Sequence, residues 1–435
     1  MPQAAEWNRK VWRMAGPIIL SNLSVPLVGI VDTAVVGHLP NPDYIGAVAL
    51  GAVIFNFVYW GFGFLRMGTT GFIAQCFGRG DYTEIRNLLS RAFFLSGVLG
   101  LAIIVLQFPI DGIAFWLLEG SIEVESYASQ YFKIRVWGAP AALSTYVILG
   151  ALIGMHNARA TLILQLILNG TNILLDILFV TVFHWNVAGV AWATLISEYL
   201  AMTVGLWLLF DHRVRGVVNL RHALAFSRIK SLLQVNINIF IRTILLIFAF
   251  SYFTALSTKL GSILLAANAV LLHLNSLTAY GLDGFAHAAE ALVGSEYGKR
   301  NRPGFRLAVK LSTLWALITG LLFTTGFYFW GDSIVALITN IDDVKTTAHQ
   351  YMPWVILLPM ISVWSYQLDG IFIGATHTRE MRNGMIISTL VYLLCTWFFL
   401  DWWHNHGLWF ALMVFMILRA VTLGFWYGRI ESSMK

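Results

Sequence analysis

Between residues 14 and 427 the chain runs through twelve segments of about twenty predominantly apolar residues, the length a helix needs to cross the hydrocarbon of a bilayer. In lipid every backbone polar group must be satisfied internally, which leaves helices and closed barrels, and runs this long are helical. The sequence therefore predicts an all-α integral membrane protein with twelve transmembrane helices. Composition agrees, with 58% hydrophobic and only 11% charged residues over 435 positions. The first span follows basic residues but continues too far and lacks a cleavage site, so it is expected to be retained and not removed as a signal peptide.

Net charge is +6, which in a soluble protein would raise the question of nucleic acid. Here the basic residues sort by topology. Of the 28 Lys and Arg, 21 fall on one side of the twelve spans; four fall on the other (Lys133, Arg135, Lys259, Lys345) and three inside spans (Arg66, Arg242, Arg419). The positive-inside rule makes the rich side cytoplasmic and places both termini there. Orientation accounts for the charge, and no nucleic-acid partner is expected. The two cysteines, Cys76 and Cys395, form no CxxC or Cys/His cluster, so neither a disulfide framework nor a metal site is predicted.

Sliding the chain against itself by 220 residues aligns "FGR" at 77 with "YGK" at 297, "QY" at 130 with "QY" at 350, and "GALIGMHNAR" at 150 with "GIFIGATHTR" at 370. The matches fall in loops as well as spans, which chance resemblance between apolar helices does not explain. Two six-helix repeats follow: an N-lobe at 1–210, a basic cytoplasmic linker at 211–230 and a C-lobe at 231–435. Six is even, so both repeats enter the membrane in the same sense. The expected architecture is two parallel, pseudo-symmetric lobes around a central cleft.

The fifth span, "LILQLILNGTNILLDILFV" from 162, carries Gln165, Asn169, Asn172 and Asp176 at steps of four, three and four, one stripe of a helix. Polar groups in hydrocarbon are costly, so such a stripe must face protein or a water-filled cavity. Counting along the spans brings Asp32 of span one and Thr194 of span six to the depth of Asp176 and Asn172. Two carboxylates held together away from water resist ionising at once and can exchange protons near neutral pH. The alternative is a hydrogen-bonded network that joins helices; with no basic partner evident in the sequence, two acids suit that role poorly. In the second repeat Arg242, Asp283 and Asp369 form a charged cluster that reads equally as an ion-pair network or a coupling site. "GRGD" at 78 lies in a charged loop and reads as a turn, and no Walker A sequence is present.

"VDTAVVGHL", "FLRMGTTGFIAQCFGRGD", "NILLDILFV", "AYGLDGFAHAAEALVGSEYG" and "YQLDGIFIGATHTREMRN" together resemble the multidrug and toxic compound extrusion (MATE) family, in its DinF-like bacterial branch, over essentially the whole chain. The resemblance implies a proton-coupled antiporter, not an enzyme, that expels bulky amphiphilic or cationic compounds by alternating access. It implies a bacterial inner-membrane protein acting as a monomer among lipids, with no cofactor beyond the coupling ion. It also assigns Asp32, Asn172, Asp176 and Thr194 to the cation or proton site, Tyr131 to its vicinity and Pro17 to a hinge in span one. Sodium-coupled relatives often carry an acid in span seven, where this chain has Arg242, so the proton is favoured and sodium is the alternative. A lipid-linked precursor flippase of the same superfold is the other alternative, but it would be expected to show several cavity arginines.

Overall fold

The computed structural model describes residues 2–37, 39, 41, 43–118, 120–209 and 225–434. Residues 211–224 of the linker expected at 211–230 lie outside them. All regular structure among the described residues is helical: α1 (Pro2–Gly37), α2 (Asp43–Gly61), α3 (Phe64–Arg79), α4 (Tyr82–Val105), α5 (Gln107–Leu118), α6 (Ile122–Arg135), α7 (Ala139–Gly154), α8 (Ala158–Asp176), α9 (Asn186–Leu209), α10 (Phe226–Lys259), α11 (Ser262–Gly298), α12 (Arg302–Ile338), α13 (Asp342–Gly374), α14 (Thr378–Trp403) and α15 (Asn405–Ser432). These make 12 spans long and apolar enough to cross a membrane. Span two is α2 and α3 in series. Span four is α6, a 3₁₀ turn (Val136–Gly138) and α7.

Span four departs from the sequence expectation, which counted Lys133 and Arg135 outside the spans. It begins at Ile122, where Ser121 caps α6 by accepting from the Val124 amide at 3.3 Å and Glu123 and Glu125 occupy the positive end of the helix. A polar first turn hides a span from a hydropathy reading. The "GRGD" turn is local chemistry of the same kind: Gly80 takes the left-handed conformation (φ 73) that ends α3, and Asp81 accepts from the Glu84 amide at 3.0 Å to start α4.

The helices divide into two compact units. One comprises residues 20–233; in it α3 and α4 pack on α7, α2 on α6 and α8 on α9. The other comprises residues 234–435 with residues 1–19; in it α11 and α12 pack on α13, and α14 on α15. Helix α1 thus contributes to both, and the division falls just after Pro17. A Cβ at Gly150 would strike the carbonyl of Arg66, and one at Gly370 the carbonyl of Ala286, so α3–α7 and α11–α13 approach backbone to backbone at equivalent positions of the two units. The same offset relates two left-handed residues, His156 (φ 61) and Thr376 (φ 57), that end α7 and α13. The duplication seen in the sequence is a duplication of structure.

Candidate functional site

Helix α8 presents its polar stripe to α1 and α9 within the unit of residues 20–233. Gln165 Nε2 donates to Asn169 Oδ1 at 3.0 Å, and Asn169 Nδ2 donates to Ser24 Oγ of α1 at 2.7 Å. One turn on, Asn172 Nδ2 donates to Thr194 Oγ1 of α9 at 3.3 Å. Asp176 closes α8 and is fully buried, and the chain continues as a π-helical turn, Ile177–Val182, whose wider spacing interrupts the α-helical ladder next to the carboxylate. The stripe read from the sequence therefore runs against α1 and α9 along its length.

Asp32 of α1 lies within hydrogen-bonding reach of Asp176. Asp32 Oδ1 and both carboxylate oxygens of Asp176 have no hydrogen-bond donor among the described residues. Buried carboxylates without donors are costly, and two in contact repel. A proton on either one turns it into a donor to the other, so the arrangement has a built-in vacancy for a proton.

The structure corrects the expectation that this pair has no basic partner. Arg135, counted from the sequence among the residues of the outer side, belongs to span four because that span begins at Ile122. Its side chain is only 15% exposed; it donates to Tyr131 Oη at 2.9 Å and lies over the Phe55 ring at 4.6 Å. It acts electrostatically on both Asp32 and Asp176. Tyr131 is buried between these groups, linked to the arginine by that hydrogen bond and to the two acids by their field. Glu198 of α9, which the sequence reading passed over, is also buried, with Oε1 3.9 Å from Arg135. A lone acid at the middle of an apolar span was the signal that could have found it.

In the other unit Asp369 is gripped by two guanidinium groups. Arg242 is hydrogen-bonded to Asp369 Oδ2, and Arg419 donates to the same oxygen at 2.7 Å. Asp283 is close enough to act on Tyr280 and Tyr366, and Tyr366 also feels Arg242, Arg419 and Asp369. The acid is compensated twice over, and neither of these guanidinium groups is left without a carboxylate.

Residues 17–178 and 239–399 each match the MatE family model, together most of the chain. The chain belongs to the MatE family. One matched stretch falls within each of the two sequence repeats, 1–210 and 231–435. Over 418 residues it is 39% identical to DNA damage-inducible protein F of Escherichia coli strain K12, an alignment that covers 96% of this chain and 91% of that protein, which makes it DinF-like within the family. It is 21% identical over 431 residues to a probable multidrug resistance protein NorM of Buchnera aphidicola, with 95% and 92% covered. Among solved structures, an outward-facing multidrug resistance MATE family transporter matches with a TM-score of 0.89 at 20% identity, covering 98% of this chain and 96% of that one. A MOP superfamily transporter from Pyrococcus furiosus matches with a TM-score of 0.88 at 20% identity and the same coverage. At that identity the structural likeness carries the fold, and membership carries the rest: a MatE multidrug efflux transporter is a multi-pass membrane protein that moves small compounds, not an enzyme.

Proposed function

We propose that this MatE transporter is a proton-coupled antiporter that exports bulky amphiphilic or cationic compounds, with Asp32, Asn172, Asp176 and Thr194 as its coupling site. The observation that carries the reading is the contact of two carboxylates whose buried oxygens lack donors. Proton uptake from the outer side neutralises the pair, changes the balance of charge at α1 and α8, and lowers the cost of moving α1 about Pro17 so that substrate is released. Loss of those protons to the inner side restores the charged pair and readies the transporter for substrate. The cycle is alternating access, in the bacterial inner membrane with both termini cytoplasmic, and the working unit is a monomer surrounded by lipid.

Sodium is the competing coupling ion, since the same oxygens could ligate it. Arg135 argues against it, because a guanidinium within electrostatic reach of both acids already supplies the positive charge that a resident cation would. Asp369 offers no better place, with two arginines on one of its oxygens. The test is dye accumulation in efflux-deficient bacterial cells expressing the chain. Collapse of the proton gradient is expected to abolish efflux and removal of sodium to leave it intact; the reverse result would transfer the coupling to sodium.

A further inference from the structure

Glu198 sits at the middle of α9, twelve residues from Asn186 and eleven from Leu209, so neither membrane surface is within reach of its carboxylate. A glycine makes room for it: a Cβ at Gly138, in the 3₁₀ turn of span four, would take the place of Glu198 Oε2. Its one charged neighbour in the resolved contacts, Arg135, stands off at 3.9 Å, too far for a hydrogen bond. On both sides of the gap polar atoms are buried and unused: Arg135 Nε, Glu198 Oε2 and Tyr59 Oη have no partner among the described residues.

This is unlike a structural clamp. The Asp369 cluster shows how this fold closes an ion pair, with two guanidinium groups hydrogen-bonded to one carboxylate oxygen. Arg135 is instead held by its aromatic neighbours, Tyr131 and Phe55, and is committed to none of the three acids it acts upon. One buried positive charge therefore serves two acidic centres, the Asp32–Asp176 pair and Glu198. The other titratable groups facing it are Tyr59 of α2, Tyr131 of α6 and Tyr146 of α7, with Tyr199 beside Glu198 on α9 and Arg66 of α3 acting on Tyr146.

We infer that Glu198 is a second proton-exchanging carboxylate of this unit and that Arg135 is the counter-ion it shares with the Asp32–Asp176 pair, so that the two centres load in opposition. When the pair is ionised, Arg135 is drawn to it, and Glu198, left buried without a counter-charge, keeps its proton. When the pair takes up two protons from the outer side, Arg135 is released to Glu198, which returns its proton to that same side and becomes the arginine's carboxylate partner; when the pair gives its two protons to the inner side, Glu198 regains one from there. Protons balance at each step: two enter the pair and one leaves Glu198. The inference rests on the proposed coupling role of the pair, and its test reads the link without reading transport.

Dicyclohexylcarbodiimide, an apolar reagent that partitions into membranes, adds across the O–H of a protonated carboxyl and leaves an ionised carboxylate unmodified. The purified full chain, in detergent near neutral pH, is treated briefly and modification at Glu198 is read by peptide mass spectrometry. In the wild type Glu198 is expected to be labelled. In the Asp32→Asn/Asp176→Asn double variant the pair is permanently neutral, Arg135 is free, and labelling should fall about tenfold, the change in protonated fraction that about 1.4 kcal/mol of counter-ion energy produces. The single variants, each of which leaves one acid, should fall between; they also cover the case in which the double variant does not fold. Absence of Glu198 labelling in the wild type, or equal labelling in all four proteins, would overturn the inference. Efflux by Asp32→Asn reads the coupling role by itself, so failure of that reading is distinguishable from failure of the link.

Discussion

Asp32 and Asp369 are both acids in the membrane, yet their surroundings give them opposite sensitivities. Asp32 has a buried oxygen with no donor, whereas Asp369 has two arginines on one oxygen. Asp32→Asn keeps the shape and can hydrogen-bond to Asp176 through its amide, but it cannot titrate. Efflux is expected to be lost while the thermal midpoint in detergent is unchanged or raised; wild-type efflux by a folded Asp32→Asn protein would remove this residue from coupling. Asp369→Asn strands two buried guanidinium groups, and breaking a buried pair from one side costs about 3–5 kcal/mol. Its signature is a lowered midpoint and poor yield, with residual efflux per folded molecule; efflux lost at an undiminished midpoint would move the coupling site to this unit. At this scale the sequence was informative where periodicity reaches and silent where it does not. The three steps from Gln165 to Asp176 follow from one helix face. Arg419 meets Asp369 across fifty residues, and Arg135 meets its acids only because a capped polar turn extends span four outward, neither of which a periodic pattern contains.

Among the elements, the contacts of α3 with α7 and of α11 with α13 are set by glycine. In lipid there is no hydrophobic gain in bringing helices together, so close backbone packing and its dispersion energy must hold them. Gly150→Ala would press a methyl onto the Arg66 carbonyl and Gly370→Ala onto that of Ala286. Neither backbone can retreat without parting the helices, so each substitution is expected to cost about 1–3 kcal/mol. The control is Gly97→Ala in α4, where nothing lies within 4 Å and the better helix former should be neutral or stabilising. Thermal midpoints of the three variants check this; a Gly150→Ala protein as stable as Gly97→Ala would mean the two helices are held some other way. The repeat was legible because these glycines recur at the same offset in "GALIGMHNAR" and "GIFIGATHTR". The break between α2 and α3 and the π-helical turn after Asp176 were not, since both lie in apolar stretches whose composition is that of an uninterrupted helix.

For the whole molecule the count of protons decides what drives transport. With one proton entering per monovalent cation leaving, no net charge crosses, and only the pH difference contributes, about 1.4 kcal/mol per unit. With two entering, one charge crosses per cycle and each 100 mV adds about 2.3 kcal/mol. Two carboxylates at the site, taken alone, allow the second scheme. If Glu198 gives up a proton as the pair takes up two, the net exchange is one, and the wild type should ignore the membrane potential. Glu198→Gln fixes that position in its neutral form, so the pair's two protons are no longer offset and the variant becomes electrogenic. The measurement is export of a monovalent cationic dye from liposomes with an inside-negative potassium diffusion potential and no pH difference. Asp32→Asn vesicles supply the passive distribution of the dye. From equal dye concentrations on the two sides, the wild type is expected to build no outward excess and Glu198→Gln an outward excess of up to about fiftyfold per 100 mV, the ratio that about 2.3 kcal/mol supports. Export driven by potential in the wild type would mean that both protons of the pair are exchanged without return, and that Glu198 holds a fixed charge state through the cycle.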